Sequence, residues 1–179
     1  MIYFISDTHF NHDRDFVYSP RECDSIDEMN KRIIANWNNT VSDEDTVYVV
    51  GDFFLGADMD YVKNTLKRLN GHIILVRGNH DTDAKIRLYE ESDKVEDIVW
   101  ATQVSYKKRL FYVSHYPSIT GNYGGDPDRV IINIFGHTHS TEKFFEGIPY
   151  MYNVACDAHD CTPISIEDIY NDVVAELYK

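Results

Sequence analysis

Short apolar runs recur along the chain, each bounded by turn residues: Ile2–Ile5, Thr46–Val50, His72–Val76, Leu110–Val113, Val130–Phe135 and Tyr150–Val154. Rich in Ile, Val, Tyr and Phe, they read as strands buried on both faces. Between the early runs the spacing becomes helical. Ser25-Ile26-Asp27-Glu28 is a capping box that opens a helix toward Asn39, with Ile26, Met29, Ile33, Ile34 and Trp37 on one face. A second helix is expected from about Asp58 to Leu69, stopped by Asn70-Gly71. A third spans about Ala84–Glu90, and a last one begins near Ser165 with Ile166, Ile169, Val173, Val174 and Leu177. The first half thus alternates strand and helix, which implies parallel strands joined by right-handed crossovers. From Val95 onward strands follow closely, with hairpin-like spacing around Tyr106–Arg109 and Phe145–Pro149. A second, more antiparallel sheet packed on the first is the expectation. No repeat or linker interrupts this order, and Gly121–Pro127 reads as a loop, so residues 1–179 are taken as one domain.

Polar residues follow the apolar runs in a regular way. Asp7-x-His9 follows the first run, Gly51-Asp52 the second and Gly78-Asn79-His80-Asp81 the third. Ser114-His115 and Gly136-His137-Thr138-His139 follow the runs ending at Val113 and Phe135. The carboxyl ends of strands in α/β sheets converge on the ligand crevice, so groups far apart in sequence can meet there. Asp7/His9 and His137/His139 are separated by two, so in an extended segment both members would project to one side. Glycines at 51, 78 and 136 would let backbone turn sharply or approach closely. Imidazole, carboxylate and amide donors without thiolate suit Mn²⁺, Fe²⁺, Zn²⁺, Co²⁺ or Ni²⁺. Asp7, His9, Asp52, Asn79, His115, His137 and His139 are too many for one tetrahedral ion and enough for two sharing a carboxylate. Each fragment alone would be an ordinary turn or a structural histidine. All of them in order, each at a strand end, are not.

Charge and composition narrow the partner. The formal net charge is -13, from 17 basic against 30 acidic residues. Such a surface repels long polyanions, which disfavours extended nucleic acid and leaves small or protein-borne phosphates, nucleotides among the small ones, as ligands. No apolar run reaches the roughly 20 residues of a membrane span. The chain leads from Met1 straight into the first strand and the Asp7 motif, with no leader expected, and a cytoplasmic setting follows. Cys23, Cys156 and Cys161 form no Cys-x-x-Cys pair and read as plain buried thiols.

The ordered fragments resemble the calcineurin-like metallophosphoesterase superfamily, whose pattern is Asp-x-His, Gly-Asp, Gly-Asn-His-(Asp/Glu), His, Gly-His-x-His. The resemblance runs from Ile5 to His139, and Tyr152-Asn153-Val154 with Pro163-Ile164-Ser165 resembles the end of small bacterial and phage members. It implies a four-layer αββα sandwich with two packed mixed β-sheets. It also implies two divalent metal ions, manganese foremost. Asp7, His9 and His139 would hold one ion, Asn79, His115 and His137 the other, and Asp52 would bridge. A metal-bridging hydroxide would attack phosphorus in line, and His80, matching the family's catalytic histidine, would protonate the departing oxygen.

Protein phosphatases of the superfamily carry Gly-Asp-x-x-Asp-Arg-Gly, where this chain has Gly51-Asp52-Phe53-Phe54-Leu55-Gly56. The phosphate-clamping Arg is absent, and Leu55 stands where an Asp would orient the catalytic histidine. A phosphodiesterase or a small-phosphomonoester phosphatase is therefore favoured, with a nuclease or a non-catalytic metal-bound scaffold as alternatives. Asn11, His12 and Arg77 are further candidates for touching substrate, although an ion pair is the simpler reading of Arg77. Asp157 and His159 exceed the needs of two metals and read as local hydrogen-bonding groups. Tyr116-Pro117 reads as loop-shaping, and Lys107-Lys108-Arg109 as a solvated hairpin tip.

Overall fold

The computed structural model describes residues 1–56, 58–120 and 126–179. The Gly121–Pro127 loop expectation lies largely outside them. Parallel strands β1 (Ile2–Ile5), β2 (Thr46–Val49), β3 (His72–Val76) and β4 (Val95–Val99) form the first sheet. The two-residue strand β9 (Ile164–Ser165) adds antiparallel to β1, giving the order β4-β3-β2-β1-β9. The second sheet has the order β5-β6-β7-β8, from β5 (Ala101–Tyr106), β6 (Arg109–Ser114), β7 (Ile132–Phe135) and β8 (Met151–Asn153).

This second sheet is less antiparallel than its sequence suggested. Only β5–β6 is antiparallel, whereas β6–β7 and β7–β8 are parallel. The β5–β6 hairpin turns through Lys107 and Lys108, both at positive φ as a two-residue primed turn requires. Later strands are reached by long crossovers, which return the chain in the same direction. The Phe145–Pro149 spacing produces a 3₁₀ turn (Phe145–Gly147), with only an isolated antiparallel bridge from Phe144 to Tyr152.

Helices form where the spacing predicts, with small shifts at their ends. Helix α2 (Ile26–Thr40) is capped by Ser25, whose hydroxyl accepts from the Glu28 N–H at 3.3 Å; the Glu28 carboxylate reaches back to the Asp24 N–H at 2.7 Å. Asp58 caps α3 (Met59–Leu66), α4 covers Asp83–Glu90, and Ser165 caps α5 (Ile166–Leu177). The short α1 (Asp15–Tyr18) escaped the reading because it is barely one turn long.

The apolar side chains divide into two cores. Met29, Ile33 and Trp37 of α2, Val62 and Leu66 of α3 and Leu88 and Tyr89 of α4 pack on Ile5, Val47, Val49, Ile73 and Leu75. The opposite faces of the same strands, through Phe4, Val50 and Val76, meet Phe111, Val113, Ile132, Ile134 and Tyr152 of the second sheet. Ile166, Ile169 and Val173 of α5 complete that inter-sheet core. The expected sandwich of two packed mixed sheets is present. The carboxyl ends of β1, β2, β3, β6 and β7 open toward one rim, and the polar fragments lie there.

Candidate metal centre

Asp7, His9 and His139 bring ligand-capable atoms within 4.8 Å of one another, and so do Asp52, His115 and His137. The backbone that achieves this is not extended. Asp7, His9, Asp52, His137 and His139 all have φ between 47° and 66°, the left-handed region. The same-side projection of each pair therefore comes from two left-handed residues rather than from strand pleating. Asp and His tolerate that region better than most side chains, yet each such residue holds some strain that the surroundings must stabilise.

Those surroundings are visible around Asp7, which is fully buried. Its Oδ2 accepts from the Ser6 hydroxyl at 2.6 Å and the His137 N–H at 2.8 Å. Its Oδ1 is buried without a hydrogen-bond partner among the described residues, 3.6 Å from His139 Nε2 and 3.8 Å from His9 Nε2. Burial pushes the Asp7 carboxyl above its ordinary pKa. An orphaned carboxylate oxygen facing two imidazole nitrogens is costly unless a cation sits among them. His9 and His139 bring their Nε2 atoms to 3.2 Å of each other. Donors sharing one cation at bonds of about 2.1 Å lie about 3–3.4 Å apart, so this spacing suits a common ion. Burial holds His9 down to about 3, keeping its ring neutral and able to donate a lone pair.

Asp52 lies between the two groups. Its Oδ2 is 3.8 Å from His9 Nε2 and 3.5 Å from His115 Nε2, while its Oδ1 accepts from the His80 N–H at 2.8 Å. Burial opposes its ionisation, but His115, the His80 N–H and His9 together draw its carboxyl down to about 2. His115 Nδ1 hydrogen-bonds the Val50 carbonyl at 2.8 Å, which leaves Nε2 for the centre, 3.0 Å from Asn79 Oδ1. His137 packs edge-on against His115 with ring centres 5.0 Å apart, and Tyr116 packs against both. All seven residues singled out as ligands thus meet at the rim.

Three glycines make the close packing possible, and a Cβ at the first of them, Gly51, would collide with the His115 ring. A Cβ at Gly136 would collide with Ser6 and the Asp7 carboxylate, and one at Gly78 with the Asp52 carboxylate and backbone. The chain thus approaches the carboxylates themselves.

Further residues hold the cluster, and sequence reasoning gave them no role there. Buried Asp81 accepts from the Asp52 and Gly78 N–H groups at 2.9 Å and from Phe53 N–H at 3.3 Å, tying the second and third fragments together. Its place as the fourth residue of Gly78-Asn79-His80-Asp81 was the available signal. Lys85 reaches the carbonyls of Phe54 and His80, bracing the same two loops. Arg21 is buried, donates to the Asp7 and Thr8 carbonyls at 2.7 and 3.2 Å, and forks onto both oxygens of Asp157. Asp157 in turn holds His139 Nδ1 at 3.1 Å. It acts between distant segments, beyond the local bonding expected of it. Burial opposes its ionisation, and His139 with Arg21 overcomes this, drawing its carboxyl to about 2. His159 does bond locally, to the Asn153 carbonyl at 2.8 Å.

His80 is half-exposed, with Nε2 4.0 Å from Asp52 Oδ2 and its ring edge-on to His9 at 5.5 Å. Its position comes from its backbone, since the N–H is held by Asp52 and the carbonyl by Lys85. His12 lies beside His9, ring centres 5.4 Å apart, and its neighbour Asn11 is fixed through its N–H to Asn30 Oδ1 at 3.1 Å. Arg77 is turned elsewhere: it pairs with Asp83, bonds the Asp81 carbonyl at 3.0 Å and stacks over Trp100 at 4.6 Å. Its charge is engaged in that ion pair, not offered to a phosphate.

The sequence profile of calcineurin-like phosphoesterases matches residues 1–150. The chain belongs to that family. Family and donor groups together make it a metal-dependent phosphoesterase that uses divalent metal ions. It is 34% identical over 173 residues to an uncharacterized protein of Methanocaldococcus jannaschii, covering 93% of this chain and 87% of that one. It is 26% identical over 199 residues to the gene 66 protein of Mycobacterium phage D29, covering 96% of each. A solved structure of a protein of unknown function from Aquifex aeolicus superposes with a TM-score of 0.72 at 28% identity, covering 96% of this chain and 98% of that chain. Among the described residues, no helix of this phosphoesterase is long and apolar enough to cross a membrane.

Proposed function

We propose that this phosphoesterase hydrolyses small phosphodiesters or phosphomonoesters, nucleotides among them, at a centre of two divalent cations. The observation that carries the reading is Asp52 Oδ2, which groups with His115 and His137 yet lies 3.8 Å from His9 Nε2 of the other group as well as 3.5 Å from His115 Nε2. Asp7, His9 and His139 would hold one cation, Asn79, His115 and His137 the other, and Asp52 both. The nitrogen and oxygen donors suit manganese first, with Fe, Zn, Co or Ni as substitutes. When bound, the cations supply a lowered pKa for water and neutralise charge on the phosphoryl oxygens.

The remaining work falls to the chain. A bond from water oxygen to phosphorus forms as the bond from phosphorus to the departing oxygen breaks. His80 Nε2, on the solvent side of Asp52, gives its proton to that departing oxygen, while the attacking water releases one to solvent. Arg77 does not replace the arginine clamp of protein phosphatases, since it is turned to Asp83. The charge of -13 argues against long nucleic acid as substrate, and a cytoplasmic setting remains the expectation.

A panel of metals crossed with mono- and diesters, cyclic nucleotides included, tests the reading. Hydrolysis should require added cation, be greatest with manganese and disappear on chelation. Hydrolysis that persists in chelator, or none with any cation across pH 5–9 (roughly the range of histidine general acids), would overturn it.

A further inference from the structure

Beside the metal centre, a recess of about 350 Å³ is lined by His9, His12, Phe16, Val17, Pro20 and His80, with His139 and Asp157 behind. Two of its features are unusual. Phe16 is 70% exposed although it stands next to a polar centre. His12 meets it at a right angle, ring centres 5.7 Å apart, and its Nδ1 is buried with no hydrogen-bond partner among the described residues. The two rings make an aromatic corner whose Phe16 side lies largely in water. His80, the proposed donor to the departing oxygen, forms part of the same lining.

We infer that this recess is the subsite for the departing group, and that His12 and Phe16 select phosphoesters whose departing group carries a planar aromatic ring, a nucleobase being the natural case. The inference rests on the phosphoesterase reading of the site. A planar ring stacks on or meets edge-on the faces of Phe16 and His12, and covers apolar surface now in water. A plain alkyl chain offers those faces no ring to stack on. The volume fits one ring system with its attached sugar, at the small end of ligand pockets. No lysine lines the recess, so a polyphosphate tail gains nothing there.

The test compares phenyl and diphenyl phosphate with methyl and dimethyl phosphate in wild type, Phe16→Ala and Phe16→Trp. In Phe16→Ala, KM for the phenyl esters should rise about 10-fold, the scale of losing one stacking contact. The methyl esters should change by less than about two-fold on the same scale, and metal content should not change. Phe16→Trp should restore the phenyl esters. Equal losses on both ester classes would overturn the subsite. A second measurement separates this from failure of the phosphoesterase reading: metal-loaded protein is titrated with phenylphosphonate or methylphosphonate and followed by NMR. Shifts at Phe16 and His12 with phenylphosphonate alone support the subsite even if no ester is cleaved. Identical responses to the two, or none at those residues, contradict it.

Discussion

At the scale of single residues, the proposed centre divides into groups that would face the cations and groups that would aim them. His80 belongs to neither donor group, although its backbone N–H is bound to the Asp52 carboxylate. His80→Ala should therefore keep both metals and lose about 10²–10⁴-fold in turnover, the scale of a general acid; kinetics with metal analysis on the same sample checks this. Asp157 only aims. Its carboxylate sets His139 with Nδ1 bonded and Nε2 toward Asp7. Asp157→Asn should weaken metal affinity by about 10–100-fold, as loss of such outer partners does. A metal titration showing unchanged affinity would reduce the Arg21–Asp157–His139 chain to a packing device. The facing residues were legible in the sequence because chemistry demands their types at strand ends. Arg21 was not, because a buried arginine binding the carbonyls of Asp7 and Thr8 leaves no mark in local pattern. For Arg77 the simpler of its two readings, an ion pair, is the one present, with Asp83 and the face of Trp100 holding it.

At the scale of elements, spacing foretold the long helices and most strands, because their apolar periodicity is sustained over several turns or pleats. Trp37 shows how much rests on one of them: fully buried, it stacks on Phe53 and donates through its indole N–H to the Asn70 carbonyl at 2.9 Å. Phe53 follows Asp52 directly, so α2 supports the loop that carries the Asp52 carboxylate. Trp37→Ala should cost about 3–5 kcal/mol of stability, the range for a large aromatic in a core, readable by urea unfolding. The two-residue β9 and one-turn α1 were not legible, since neither is long enough to show a period. The direction of β7 and β8 was not legible either, because crossover length, and not local pattern, decides whether neighbours run parallel.

At the scale of the whole molecule, two sheets share the work of building one rim. The first sheet contributes Asp7, His9, Asp52 and Asn79 after β1, β2 and β3, and the second contributes His115, His137 and His139 after β6 and β7. The inter-sheet core of Phe4, Val50, Val76, Phe111 and Ile134 is what sets the distance between these two halves of the centre. Each donor group draws on both sheets, and Asp52 lies where they join. The central claim is therefore that a single carboxylate serves two cations. Metal content of Asp52→Asn, measured by mass spectrometry beside wild type after equal loading with manganese, tests it most directly. Two ions per chain in the wild type and losses at both positions in the variant are the predicted result. Full retention of two ions, or clean loss of only one, would contradict the bridge.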